Sequence, residues 1–107
     1  MGTAALLGGC ASNSHHYYWG NYESMLYKTY AEPGEIPPEQ QLDLLEDDLA
    51  KASERGKPVH PGLYAQIGLV RYELGDNAGA RAAFEQEKAL YPESTALMNR
   101  MLESVSQ

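Results

Sequence analysis

The stretch from Gly62 to Pro92 constrains the fold more than any other part of this 107-residue chain. Tyr64, Ile67, Gly68 and Tyr72 recur at helical spacing, Gly75-Asp76 follows, then Ala80 and Phe84 resume the helical period before Pro92. Gly75-Asp76 ends one helix, and Pro92 cannot continue the next. Gly68 and Ala80 are small where two helices must approach closely. Tyr64, Ile67 and Phe84 are placed to fill the space between them. The pattern predicts a hairpin of helices over about 62–74 and 78–91.

This spacing resembles a single tetratricopeptide repeat covering 61–92. It departs from the repeat at two places. Arg71 stands where an aromatic is usual, with Tyr72 one position later, and Glu87 stands where a small alanine is usual. One such unit cannot bury its apolar face alone, so flanking helices are expected to stack on it. A helix is predicted over about 19–31, with Trp19, Tyr22, Leu26 and Tyr30 as its apolar stripe, Met25 beside them, and Pro33-Gly34 as its stop. Pro37-Pro38 suits the start of a second helix, whose face is Leu42, Leu45, Leu49 and Ala52 and whose stop is Gly56. Glu46, Asp47 and Asp48 read as its solvated surface. Ser94 or Thr95 can cap a last helix to about Val105, which offers Leu97, Met98, Met101 and Leu102. No segment alternates with period two. The expectation is an all-α fold over 18–107: five short helices in a tetratricopeptide-like stack, with a degenerate first helix pair and a C-terminal capping helix.

The N-terminus carries a different message. Leu6-Leu7-Gly8-Gly9 precedes Cys10, the chain's single cysteine. An apolar stretch, two small residues and then Cys read as a lipoprotein cleavage site, with Cys10 as the lipidated first residue of the mature chain. Residues 1–9 then form a partial signal segment and residues 10–17 the tether. The segment Met1 to Gly9 holds no Lys or Arg, whereas a secretory signal normally has a basic start and about 7–15 apolar residues. A start upstream of Met1 is therefore expected. A triacylated Cys10 would give stable membrane attachment, because more than one chain anchors it.

Charge narrows the partners. The net charge is −7, from 15 acidic and 8 basic residues. Nucleic acid is disfavoured, since its recognition needs clustered Lys and Arg. One cysteine excludes an internal disulfide and a cysteine-only metal site. His15-His16 sits in the tether without nearby Cys, Asp or Glu, so neither metal nor other cofactor is expected. No nucleophile elbow, phosphate loop or metalloprotease helix motif is present. A helical domain this small has little room for a water-excluding active site, so no catalytic residue is assigned. His60, between Val59 and Pro61, reads as a packing residue. Ala65, Leu69, Tyr72 and Glu73 of the third helix form the candidate partner surface, joined by Trp19 and Tyr27 from the aromatic N-terminal cluster. The competing expectation is that the first two helices cover this face.

Four strings together carry a family resemblance: Tyr18-Trp19-Gly20-Asn21-Tyr22-Glu23, Leu26-Tyr27, Pro58-Val59-His60-Pro61-Gly62, and Glu87-Lys88-Ala89-Leu90-Tyr91-Pro92-Glu93-Ser94. From about Tyr17 to Leu102 the chain resembles the small proteobacterial lipoproteins grouped as domain of unknown function 4810. The resemblance implies a lipid-anchored protein on the periplasmic face of the Gram-negative outer membrane. It also implies an envelope assembly with a lipoprotein resembling the curli-secretion channel. Ala11 and Ser12 after Cys10 favour outer-membrane sorting under the lipoprotein rule. The expected function is an adaptor or scaffold for protein–protein interaction without chemistry of its own. The alternatives are a pilot that escorts a channel subunit to the outer membrane, or an activator of a cell-wall synthase.

Overall fold

The computed structural model describes residues 16–106. Cys10, the expected signal segment 1–9 and most of the expected tether 10–17 lie outside the described residues. Among the described residues five α-helices follow one another: α1 Tyr22–Ala31, α2 Pro38–Glu54, α3 Leu63–Glu73, α4 Asn77–Leu90 and α5 Thr95–Ser106, with a 3-10 turn at Pro92–Ser94. The described residues contain no strand, only one isolated parallel bridge between Tyr18 and Val59. The fold is all-α.

α3 and α4 form an antiparallel hairpin. The register follows from three contacts: the Ala65 amide with the Glu87 carboxylate, Gly68 with the Phe84 ring, and the Arg71 guanidinium with the Gly79 carbonyl. Asp76 caps α4 by accepting from the Gly79 amide at 2.9 Å, which satisfies one of the free donors of the first turn. A Cβ at position 68 would lie 2.4 Å from Phe84 Cε1, so the glycine sets how closely the helices approach. Arg71 donates to the Gly79 carbonyl at 3.3 Å and pairs with Glu46 at 3.0 Å, tying α3 to both α4 and α2.

The core has two parts. One gathers Met25 of α1, Leu45 of α2, Leu63, Ile67 and Val70 of α3, and Ala83 of α4, with Tyr22, Leu26, Leu42, Leu49, Val59 and Tyr64 packed around them. The other gathers Ala80 and Phe84 of α4 with Met98 and Val105 of α5, bordered by Ala65, Met101 and Leu102. Each large apolar side chain fully buried here contributes roughly 1.5–3 kcal/mol. Successive helices are thus stapled in chain order, α1 on α2, α2 on α3, α3 on α4 and α4 on α5.

Two expectations for the first helices need correction. Gly20 turns the chain at φ +49°, so α1 begins at Tyr22 and Trp19 precedes it. The apolar face becomes Tyr22, Met25, Leu26 and Thr29, and Tyr30 is 83% exposed. On α2, Asp48 is not on the solvated surface: it is fully buried between Leu45 and Ala52.

Candidate functional site

The segment 17–22 crosses the link that joins α2 to α3 and reaches the C-terminal end of α4. Tyr18 donates its amide to the Pro58 carbonyl at 3.4 Å, and Arg55 lies 5.0 Å over the Tyr18 ring. Trp19 stacks on His60 with ring centroids 4.2 Å apart and planes 11° apart. Tyr22 meets the same imidazole at 4.1 Å. Tyr17 contacts Tyr91 edge-on at 6.4 Å, and the Tyr91 hydroxyl donates to the Val59 carbonyl. Three of the strings that carry the family resemblance, far apart in sequence, therefore meet in one knot.

Two buried carboxylates hold this knot. Asp48 accepts from the Asn21 amide at 2.9 and 3.0 Å and from Asn21 Nδ2 at 3.1 Å. The approach requires Gly20, where a Cβ would lie 2.3 Å from Asp48 Oδ1. Glu87, 3% exposed, accepts from the Gly62 amide at 2.9 Å and the Ala65 amide at 3.3 Å. Its charge thus caps the N-terminus of α3, where free N–H groups and the helix dipole favour an anion. That is the reason Glu87 stands where the repeat pattern expects alanine.

His60 is fully buried. Its Nδ1 lies 2.9 Å from the Pro61 carbonyl, so Nδ1 carries the proton and Nε2 is the bare nitrogen. Nε2 is buried without a hydrogen-bond partner among the described residues. Burial pushes the imidazole below its ordinary value of 6.5, against the opposing effects of the Pro61 hydrogen bond and the Asp48, Glu87 and Glu23 charges. Burial raises Asp48, opposed by the Asn21 amide. Burial and the Glu87 charge raise Tyr22. Tyr91 is pushed up to about 12, mainly by burial and then by Tyr17. Asp48 accepts from Asn21, and His60 and Tyr91 donate to the backbone carbonyls of Pro61 and Val59. The arrangement fixes where the N-terminal segment joins the helices.

The residues expected from the sequence fall in several places. Ile67, Gly68, Ala80 and Phe84 lie in the α3–α4 interior, and half-buried Tyr64 packs against the cluster that holds Leu45 and Ile67. Gly75 makes the exposed turn at φ +85°, and Pro92 opens the 3-10 turn. Of the candidate partner surface, Tyr27 is 73%, Tyr72 45% and Leu69 38% exposed, and Glu73 is exposed too. Ala65 borders the Phe84–Met98 cluster and Trp19 stacks on His60, so both are half-buried. The first two helices leave Leu69 and Tyr72 uncovered. Asp48, Asn21 and His60 were missed as a set. Only Asp48 had a signal: it stands three residues after Leu45 and four before Ala52, inside the buried stripe.

Among the described residues no group of three or more His, Cys, Asp or Glu could hold a metal ion, and no helix is long and apolar enough to cross a membrane. No curated protein and no solved structure matches the chain. Residues 16–101, which contain the whole knot and the α3–α4 hairpin, match the family described as Domain of unknown function (DUF4810), and the chain belongs to that family.

Proposed function

We propose that this chain is a lipid-anchored, tetratricopeptide-like adaptor that holds a protein partner on the periplasmic side of the outer membrane. The observation that carries the reading is a repeated register. Tyr22, Met25, Leu26 and Thr29 face inward on α1 at the spacing used by Tyr64, Ile67, Gly68 and Arg71 on α3. The outward positions then correspond as well: Tyr27 matches Leu69, and Tyr30 matches Tyr72. All four are exposed. Large apolar side chains repeated on the first helix of each pair give a row suited to an apolar segment of a partner. Tyrosine is favoured at such surfaces because it offers contact area at small entropic cost. Anchoring through Cys10 rests on the Leu6-Leu7-Gly8-Gly9-Cys10 sequence and on the family resemblance.

The test expresses the chain behind a lipoprotein signal, so that Cys10 can be processed. Radiolabelled fatty acid should enter the chain and be lost in Cys10→Ser. A Leu69→Asp/Tyr72→Asp variant should keep its helical circular dichroism and lose its crosslinked partner in the envelope. An unchanged crosslink in a folded variant contradicts the adaptor surface.

A further inference from the structure

We propose that residues 16–19 form an acid-released strap: protonation of His60 frees Trp19 from the imidazole, and the segment swings out about Gly20 while α1 stays docked. Tyr17 meets Trp19 edge-on at 6.3 Å and Tyr91 at 6.4 Å, and the Tyr18 amide reaches the Pro58 carbonyl at a long 3.4 Å. Half-buried Trp19 covers one face of His60, which is itself fully buried. Immediately after Trp19 the hold on the chain changes in kind. Gly20 sits at φ +49°, the backbone and side-chain N–H groups of Asn21 bond Asp48, and Met25 of α1 is buried in the core. The lightly held and the firmly held segments thus meet at a residue with the backbone freedom to pivot.

The closed structure has no place for a second proton on His60. Nδ1 already donates to the Pro61 carbonyl, and Nε2 has no hydrogen-bond partner among the described residues. The Trp19 ring lies nearly parallel to the imidazole, so an N–H in the imidazole plane does not point at its π face. The charged and titratable groups around the ring come from every neighbouring element. They are Tyr22 and Glu23 of α1, Asp48 of α2, Glu87 of α4, Tyr17 and Tyr91 beyond the indole, Arg55 over Tyr18, and Lys57 on the same link. Asp48 and Glu87 attract a cation, but their oxygens serve Asn21 and the Gly62 and Ala65 amides. Burial prevails over these charges and holds the closed imidazole below 6.5. With Trp19 swung out, water reaches the ring and the ordinary value returns. The open form then takes the proton first as pH falls, so opening is promoted below about 6.5 and suppressed above it. Between about pH 7 and about pH 5 the open-to-closed ratio rises by up to about 25-fold. On the anchoring proposed above, release lengthens the free span after Cys10 from about 20 Å to about 35 Å, which sets how far the domain can stand from the membrane.

Trp19 is the chain's single tryptophan, so its emission reports the strap alone. In the full chain without lipid, acrylamide quenching of Trp19 should increase as pH is lowered from about 7 to about 5. Over the same range exchange of the Tyr18 amide, corrected for its intrinsic pH dependence, should accelerate by up to about 25-fold. The corrected exchange of the Asn21 amide and the helical circular dichroism should stay constant. His60→Phe keeps a ring beside Trp19, and His60→Gln is a smaller polar residue that does not titrate; in both the acid response should vanish. His16→Gln should retain it, although His16 lies against Tyr17 and titrates in the same range. The proposal is overturned by a parent chain without an acid response, by a response that survives in either His60 variant or is lost in His16→Gln, and by an Asn21 amide that accelerates together with Tyr18. Because no lipid is present, the result is independent of whether Cys10 is lipidated in cells.

Discussion

Glu87→Ala sets the repeat pattern against the structure. The pattern places a small residue at this position, so by analogy the change would be harmless or beneficial. In the folded chain, however, the carboxylate accepts from the Gly62 amide at 2.9 Å and the Ala65 amide at 3.3 Å while 3% exposed. A hydrogen bond to a charged group contributes about 1.5–3 kcal/mol, and the second, longer one less. The interaction with the α3 dipole adds about 0.3–1 kcal/mol. Release of a carboxylate from a buried site offsets part of this, as does water entering to bond the freed amides. The expected net loss is about 2–3 kcal/mol. For a domain of this size that lowers Tm by roughly 10–20 °C. Glu87→Gln, which keeps the shape and one acceptor, should lose about half as much. Urea unfolding followed by circular dichroism measures both. An alanine variant as stable as the parent would refute the claim that Glu87 caps α3.

Gly68→Ala should also destabilise, although alanine in a helix interior ordinarily gains about 0.5–1 kcal/mol over glycine. Its Cβ would meet Phe84 Cε1 at 2.4 Å, and such overpacking costs about 1–3 kcal/mol, so the net loss is ~1–2 kcal/mol. Adding Phe84→Leu should give less than the sum of the two single losses in a double-mutant cycle. Asp48→Ala should remove the anchor of Asn21, so hydrogen exchange at the Tyr18 and Asn21 amides accelerates while the α3–α4 amides keep their protection. His60 makes stability depend on pH: its folded value lies below 6.5, so the unfolded chain takes the proton first as pH falls. Stability is full above about 6.5 and declines as pH drops through 6.5 towards the folded value. Asp48, raised above 3.8, acts oppositely in its own lower window, where the folded chain takes the proton first. His60→Phe should flatten the decline in urea midpoint between about pH 8 and about pH 5, and an unchanged slope would assign it to other groups.

The helices were legible because their boundaries are written in residues with strong local preferences. Pro37-Pro38, Gly75-Asp76 and Pro92 mark ends that the fold keeps within a residue or two. The small-against-large pairing of Gly68 with Phe84 was legible for the same reason. The knot was not legible, because each of its contacts joins segments far apart in the chain. Nothing near Asp48 announces that Asn21 will supply its donors, and nothing near Glu87 announces the free amides of Gly62 and Ala65. Both acids looked like surface charge or a defect in a repeat, although each satisfies backbone donors of another element. Trp19 misled for a related reason. Helical spacing placed it in register with Tyr22 and Leu26, but Gly20 turns the chain between them and delivers the indole to His60. Tyr30 misled in the same way: helical spacing put it in the stripe with Tyr22 and Leu26, but it is 83% exposed.

The central claim is that Tyr27, Tyr30, Leu69 and Tyr72 form one partner-binding row. Its most direct test places a photo-crosslinking amino acid at Leu69, at Tyr30 and at exposed Arg81 on α4, in cells that export the chain behind a lipoprotein signal. The account predicts that Leu69 and Tyr30 crosslink the same envelope protein and that Arg81 does not. Crosslinks from Arg81 to that protein, or different products from Leu69 and Tyr30, would contradict it.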